Sequence, residues 1–103
     1  MAVFAALAEP HRRQILDLLL DGERPAGHFV DVLEIAQPTV SQHLKVLRES
    51  GLVDVRIDAN RRLYRLRIAP LAELDAWLMP YRQLWADRLD ALEHHLNTHP
   101  ESE

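Results

Sequence analysis

Ser41, Gln42 and Lys45, with Gln37 and Thr39 just before them, place hydroxyls, amides and a cation in one short stretch that holds no carboxylate until Glu49. A glutamine amide can pair with an adenine edge through two hydrogen bonds, whereas a serine hydroxyl discriminates little between bases. Gln37, Thr39 and Lys45 suit phosphate oxygens, the lysine by charge and the others by hydrogen bonding. A solvated helix face usually mixes both charge signs, so an acid-free patch of these types points to nucleic acid. His43 lies within the same stretch, and both a phosphate contact and a packing role are open to it.

Two further groups bear chemistry. Arg56, Arg61 and Arg62 flank the turn residues Asp58-Ala59-Asn60, an arrangement suited to a minor groove or a DNA backbone. Arg65 and Arg67 lie further from that turn, and either can pair with Asp54 or Asp58 instead. His95 and His99 are spaced i, i+4 with Asp87, Asp90 and His94 nearby, which is a ligand spacing for zinc. Because His99 precedes Pro100 in an end expected to fray, no metal site and no cofactor are assigned. The three glycines form no phosphate-cradling loop, and no Ser/His/Asp set stands in a motif context. Enzymatic activity is not expected.

The chain carries a net charge of −4, which at first argues against a polyanionic partner. The charge is unevenly spread: residues 1–36 carry −3, residues 37–67 carry +4 and residues 68–103 carry −5. Cations near the phosphates are what displace counterions, so the basic middle third decides the matter. With no cysteine, disulfides and thiolate metal sites are excluded. The start of the chain lacks the basic region and apolar run of a signal peptide, and no apolar stretch suffices for a membrane span. A cytoplasmic protein of one domain is expected, with no membrane partner.

The polar stretch must ride on a helix. Within Ala36–Ser50, Val40, Leu44 and Leu47 recur at i, i+4 and i+7, giving one buried stripe. At about 100° per residue, Pro38, Ser41, Gln42 and Lys45 fall on the opposite side. Before it, Val3, Phe4, Leu7 and Ala8 form a short apolar segment, and Glu9-Pro10 is a helix start signal. A helix from Pro10 to about Leu20 should bury Ile15, Leu18 and Leu19, and Asp21-Gly22 should stop it. After a loop, Glu23-Arg24-Pro25, a short helix at about Ala26–Leu33 turns Phe29, Val30 and Leu33 inward. Glu34-Ile35-Ala36 then makes the tight connection of a helix-turn-helix. Beyond Gly51 the period becomes two: Val53, Val55 and Ile57 alternate with polar residues, and residues 61–68 return as the second strand of a hairpin, or wing.

The last third reads as helical, with Leu71, Leu74, Leu78, Tyr81, Trp85, Leu89 and Leu92 recurring at threes and fours and Trp77 and Leu84 widening the face. Pro80 interrupts it, so a kink or two abutting helices is expected. An apolar surface this broad exceeds what three short helices and a hairpin can cover. Burial against a second copy is the simplest account, with Phe4, Leu7, Leu74, Trp77, Leu78, Tyr81, Trp85, Leu89 and Leu92 as the dimer interface.

These motifs, in this order, resemble the ArsR-type (ArsR/SmtB-like) winged helix-turn-helix transcriptional repressors. Phe4-x-x-Leu7-Ala8-Glu9-Pro10-x-Arg12-Arg13-x-Ile15-Leu16 is similar to that family's opening motif, with Glu9 where aspartate is usual. Residues 37–48, QPTVSQHLKVLR, resemble its recognition helix. Gly51-Leu52-Val53 followed by Arg62-x-Tyr64-Arg65-Leu66 resembles its wing. Trp77-Leu78-x-Pro80-Tyr81-x-x-x-Trp85 resembles a metal-independent branch. Glu34 and Ala36 stand where the family often has glycine and serine, and Pro25 where it often has a capping serine or threonine. Its helical zinc site needs a histidine two residues after an acid on the last helix, and here Leu92 follows Asp90.

The resemblance implies a mainly α fold with a small β-hairpin: a winged-helix core at about 10–68, dimerisation helices at about 1–8 and 70–97, and a frayed tail at 98–103. It implies a homodimeric repressor, with its own gene as a candidate target, bound to an inverted-repeat operator in double-stranded DNA. The DNA-binding residues expected are Gln37, Thr39, Ser41, Gln42, His43, Lys45, Arg56, Arg61 and Arg62. The alternatives are a metal-responsive repressor using His95 and His99, and a winged-helix module that binds protein. No effector is identified by the sequence.

Overall fold

The computed structural model describes residues 2–98 and forms two compact units, divided between Ala72 and Glu73. His99 and the rest of the expected tail lie outside the described residues.

The first unit opens with helix α1 (Ala2–Leu7), which buries Val3 and Ala6. Helix α2 (Pro10–Leu18) starts where the carboxylate of Glu9 accepts the His11 N–H at 2.8 Å, with Pro10 in the first turn. Both features satisfy or remove amide donors that a helix start leaves bare. α2 buries Ile15 and Leu16, and the chain then tightens into a single 3₁₀ turn at Leu19–Asp21 that buries Leu19. Leu18, expected inward, is half-exposed, and Leu16 takes its place in the core. Gly22 ends the turn at φ 136°, a backbone angle costly for any side-chain-bearing residue.

The expected loop at residues 23–25 contains a short strand, β1 (Arg24–Pro25), which pairs with the later hairpin at Arg24↔Tyr64 and Pro25↔Leu63. Two residues have no periodicity to read, and proline is tolerated here because the strand is an edge. Helix α3 (Ala26–Leu33) buries Phe29 and ends at Glu34, held left-handed at φ 55° with its N–H on the Val30 carbonyl at 3.0 Å.

Helix α4 (Gln37–Glu49) begins without a capping side chain at Ala36, whose carbonyl still takes the N–H groups of Thr39 and Val40. Pro38 has no N–H to leave bare, which softens the loss of the cap. At its other end, Gly51 N–H bonds the Arg48 carbonyl and Leu52 N–H bonds the Leu47 carbonyl, both at 3.0 Å. This is a Schellman closure: Gly51 supplies the left-handed φ of 81°, and the fully buried Leu47 and Leu52 supply its apolar contact.

Strands β2 (Val53–Asp58) and β3 (Arg61–Leu66) form the wing, paired from Val53↔Leu66 to Asp58↔Arg61 around Ala59 and Asn60. The sheet order is β1-β3-β2, so β3 is central and buries both Leu63 and Tyr64. Val53 is buried but Ile57, expected on the same inner face, is 62% exposed. It sits one pair from the hairpin loop, at the end away from buried Val53 and Leu52.

Helix α5 (Ala69–Thr98) runs as one helix with Pro80 inside it, not as two abutting helices. In the second unit, Trp77, Tyr81, Leu84, Trp85, Leu89 and Leu92 are all exposed.

Candidate nucleic-acid interface

Three side chains decide which face of α4 meets solvent. Val40, Leu44 and Leu47 are almost wholly buried, and that stripe leaves Gln37, Thr39, Ser41, Gln42 and Lys45 exposed on the outside. The amphipathic spacing alone produces this arrangement. Donors, acceptors and a cation therefore stand together on a helix whose inner face is fixed.

His43 is not part of that face. It is 9% exposed and turned into the protein, which corrects its expected place among the DNA contacts. Arg12 explains the orientation. Its Nε donates to the Ala6 carbonyl at 2.7 Å and its Nη2 to the Ala5 carbonyl at 3.1 Å, leaving Nη1 at 3.3 Å from His43 Nδ1. On the other side of the ring, Nε2 lies 3.8 Å from Glu9 Oε2. Burial pushes the His43 pKa down, Arg12 and His11 add to this, and Glu9 opposes it. The His11 N–H, above all, holds the Glu9 carboxyl below its usual range. His43 thus ties the helix to the start of α2 and to α1.

The wing arginines divide into two groups. Arg56 places Nε and Nη2 on the two carboxylate oxygens of Glu23 at 2.9 and 2.7 Å. Two of its three guanidinium nitrogens thus face a carboxylate of the same chain at an exposed position, which competes with the DNA contact expected of it. That hydrogen bond is the main cause lowering the Glu23 pKa and raising that of Arg56. Arg65 reaches Asp54 at 3.0 Å, one of the alternatives the sequence leaves open, and this contact chiefly lowers the Asp54 pKa. Arg61 and Arg62, at the hairpin loop, are exposed and make no ion pair among the described residues.

Lys45, Arg48 and Arg67 line an open cleft of about 460 Å³ between the end of α4 and the base of the wing, together with Glu49 and Asp54. Arg48 and Arg67 extend the positive surface beyond the residues picked from sequence. For Arg48 a signal existed: no acid stands three or four positions away on its helix.

The residues expected at a dimer interface are solvent-facing to different degrees. Leu7, Leu74 and Leu78 are half-buried, Phe4 and Trp77 are exposed, and Trp85 is 69% exposed. Among the described residues a possible metal-ligand group also occurs away from the C-terminal histidines: donor atoms of Glu9, His11 and His43 lie within 4.8 Å of one another. Sequence spacing gave no hint of it, because α4 supplies one member and the start of α2 the other two.

A helix-turn-helix with an acid-free outer face, followed by a wing with exposed arginines at its tip, defines a winged-helix DNA-binding regulator. The sequence profile described as "Bacterial regulatory protein, arsR family" matches residues 9–55. The chain is 30% identical over 79 residues to the transcriptional repressor SdpR of Bacillus subtilis (strain 168), covering 77% of this chain and 88% of SdpR. It is 41% identical over 68 residues to a biofilm growth-associated repressor of Xylella fastidiosa (strain Temecula1 / ATCC 700964), covering 66% of this chain and 60% of that protein. An ArsR-like transcriptional regulator from Rhodococcus sp. RHA1 superposes with a TM-score of 0.75 at 27% identity, covering 94% of this chain and 89% of that one. The chain belongs to the arsR family of bacterial regulatory proteins, and it is a DNA-binding transcriptional regulator rather than an enzyme. Among the described residues no helix is long and apolar enough to cross a membrane.

Proposed function

We propose that this chain is a homodimeric repressor that binds an inverted-repeat operator, with its own promoter as the first candidate site. Each protomer lays Pro38–Arg48 in a major groove. Gln42 reads a base edge, Ser41 adds a tolerant contact, and Gln37, Thr39 and Lys45 hold phosphates. Arg61 and Arg62 carry the wing onto flanking DNA. The observation that carries this reading is the outer face of α4, where exposed donors and Lys45 stand with no acid until Glu49.

Dimerisation is supported by the exposed run Tyr81, Leu84, Trp85, Leu89 and Leu92, which line one apolar groove on α5. Monomeric proteins rarely leave so much contiguous apolar surface in water. Two copies related by a two-fold axis would bury the same patch on each other and present two recognition helices to a palindromic site. SdpR and the biofilm growth-associated repressor are named as repressors, which supports repression as the mode of regulation.

Selection of bound fragments from the host genome, followed by gel shifts at low and high salt, tests the proposal. The expected result is enrichment of inverted repeats, with affinity falling as salt rises. No binding at low salt to any selected fragment would overturn it.

A further inference from the structure

Glu9, His11 and His43 meet where the start of α2 touches the recognition helix. Glu9 Oε1 is occupied by the His11 N–H at 2.8 Å. Glu9 Oε2 is shielded from solvent and has no hydrogen-bond partner. A carboxylate oxygen kept from water without a donor is an expensive arrangement. Two imidazole nitrogens stand beside this carboxylate: His11 Nδ1 is 3.7 Å from Oε1 and His43 Nε2 is 3.8 Å from Oε2. Around a zinc ion, donors at roughly 2.0–2.2 Å in tetrahedral array lie roughly 3.3–3.6 Å apart. Each imidazole nitrogen needs to close on its carboxylate oxygen by only a few tenths of an ångström to meet that spacing, and the three donors already lie within 4.8 Å of one another. His11 is partly exposed, which gives an ion an approach and leaves a fourth position for water.

We propose that Glu9, His11 and His43 bind a divalent cation with the preferences of Zn²⁺ and that the bound ion displaces Arg12 from the recognition helix. The second part follows from the imidazole. With Arg12 Nη1 donating to Nδ1, a neutral His43 keeps its proton on Nε2. Coordination through Nε2 requires that nitrogen to be bare, so the ring proton moves to Nδ1 by exchange with solvent. An N–H at Nδ1 cannot accept from Arg12, and the guanidinium must leave the ring. Arg12 keeps its bonds to the carbonyls of Ala5 and Ala6 in α1. The ion then replaces Arg12 as a tie between the start of α2 and α4, and metal occupancy is coupled to the seating of the DNA-reading helix. This site is separate from the C-terminal histidines and does not depend on the oligomeric state.

The test uses the full chain, stripped of metal and titrated with Zn²⁺ against a chromophoric chelator, with ¹⁵N NMR of the histidine rings in parallel. The expected stoichiometry is one ion per protomer, with the His43 proton moving from Nε2 to Nδ1 on saturation. His11→Ala changes a partly exposed ring, so the fold is retained by circular dichroism. It lowers affinity by at least about tenfold, since loss of an outer-shell partner alone costs that much. Glu9→Gln, which keeps a capping oxygen, behaves likewise, and His95→Ala leaves uptake unchanged. Wild-type affinity in His11→Ala, loss of uptake in His95→Ala, or an unmoved His43 proton would each overturn the proposal.

Discussion

Arg56 and Glu23 are joined by two hydrogen bonds of 2.9 and 2.7 Å, linking strand β2 to the segment just before β1. A guanidinium whose Nε and Nη2 both sit on a carboxylate has its charge offset there and only Nη1 left for a phosphate. Removing one cation from a DNA phosphate lowers the slope of log affinity against log salt by about 0.9. Arg61→Ala removes one such cation from each protomer of the proposed dimer, so it is expected to lower the slope by about 1.8, while Arg56→Ala leaves it unchanged. Glu23→Gln, which releases Arg56, should leave the slope equal or steeper. Fluorescence anisotropy on one operator across a salt series measures all three.

Gln42 and Lys45 share the exposed face but act differently. Gln42→Ala should relax preference at one base pair in each half-site, with a loss of about 1–3 kcal/mol per site confined to those positions. Lys45→Ala should weaken every sequence alike. Binding to a library carrying every single substitution in the operator separates the two, and equal losses at all positions for both variants would contradict the assignment.

His43 gives the protein a pH response of defined sign. Burial lowers its folded pKa, so the unfolded chain holds the proton more tightly. Between the folded value and the ordinary histidine value of about 6.5, unfolding takes up a proton. Stability from this group is complete above about 6.5 and is lost as the pH falls through the folded value. Melting temperatures measured from about pH 7 down to about pH 5 should decline in the wild type and decline less in His43→Gln. Removing the ring with His43→Ala should also cost about 1–3 kcal/mol at neutral pH, since it deletes a packed side chain together with the acceptor that Arg12 uses.

The turn before the recognition helix holds recoverable stability. Glu34 sits at φ 55° and ψ 44°, and Ala36 offers α4 no side-chain cap. The left-handed conformation costs a residue with a Cβ about 1–2 kcal/mol, offset in part by the greater freedom of glycine when unfolded. Glu34→Gly is expected to stabilise by roughly 0.5–1 kcal/mol, and Ala36→Ser by about 1 kcal/mol. Urea unfolding midpoints would show whether the two gains add.

Much of this architecture was legible from local signals. Helices α3 and α4 lie where periodicity, proline and glycine put them, and the wing strands fall on the residues expected, although Ile57 faces solvent and the adjacent Leu63 and Tyr64 are both buried. What local pattern could not carry was partnership across the chain. Arg56 looks like its neighbours at the hairpin until Glu23 is brought to it from 33 residues away. His43 lies beside the apolar stripe, at an angle from which either side is open, and only Arg12 and Glu9 show which way it turns. β1 is too short for any period, and its existence depends on Leu63 and Tyr64 of β3. The long helix shows the converse: its apolar run was evident, but Pro80 did not divide it.

Trp85 offers the sharpest test of assembly. At 69% exposed it contributes little to its own protomer, yet it lines the apolar groove with Tyr81, Leu84, Arg88, Leu89 and Leu92. A large exposed indole in such a groove is the type of residue on which interface energy concentrates. In the proposed dimer, Trp85→Ala should weaken self-association by about tenfold or more while the protomer's helical content persists. Sedimentation over a range of protein concentrations measures the association directly. Operator binding by this variant should become steeply dependent on protein concentration, because dimer formation and DNA binding are then linked. If self-association and operator binding were both unchanged, α5 would not be the dimer interface.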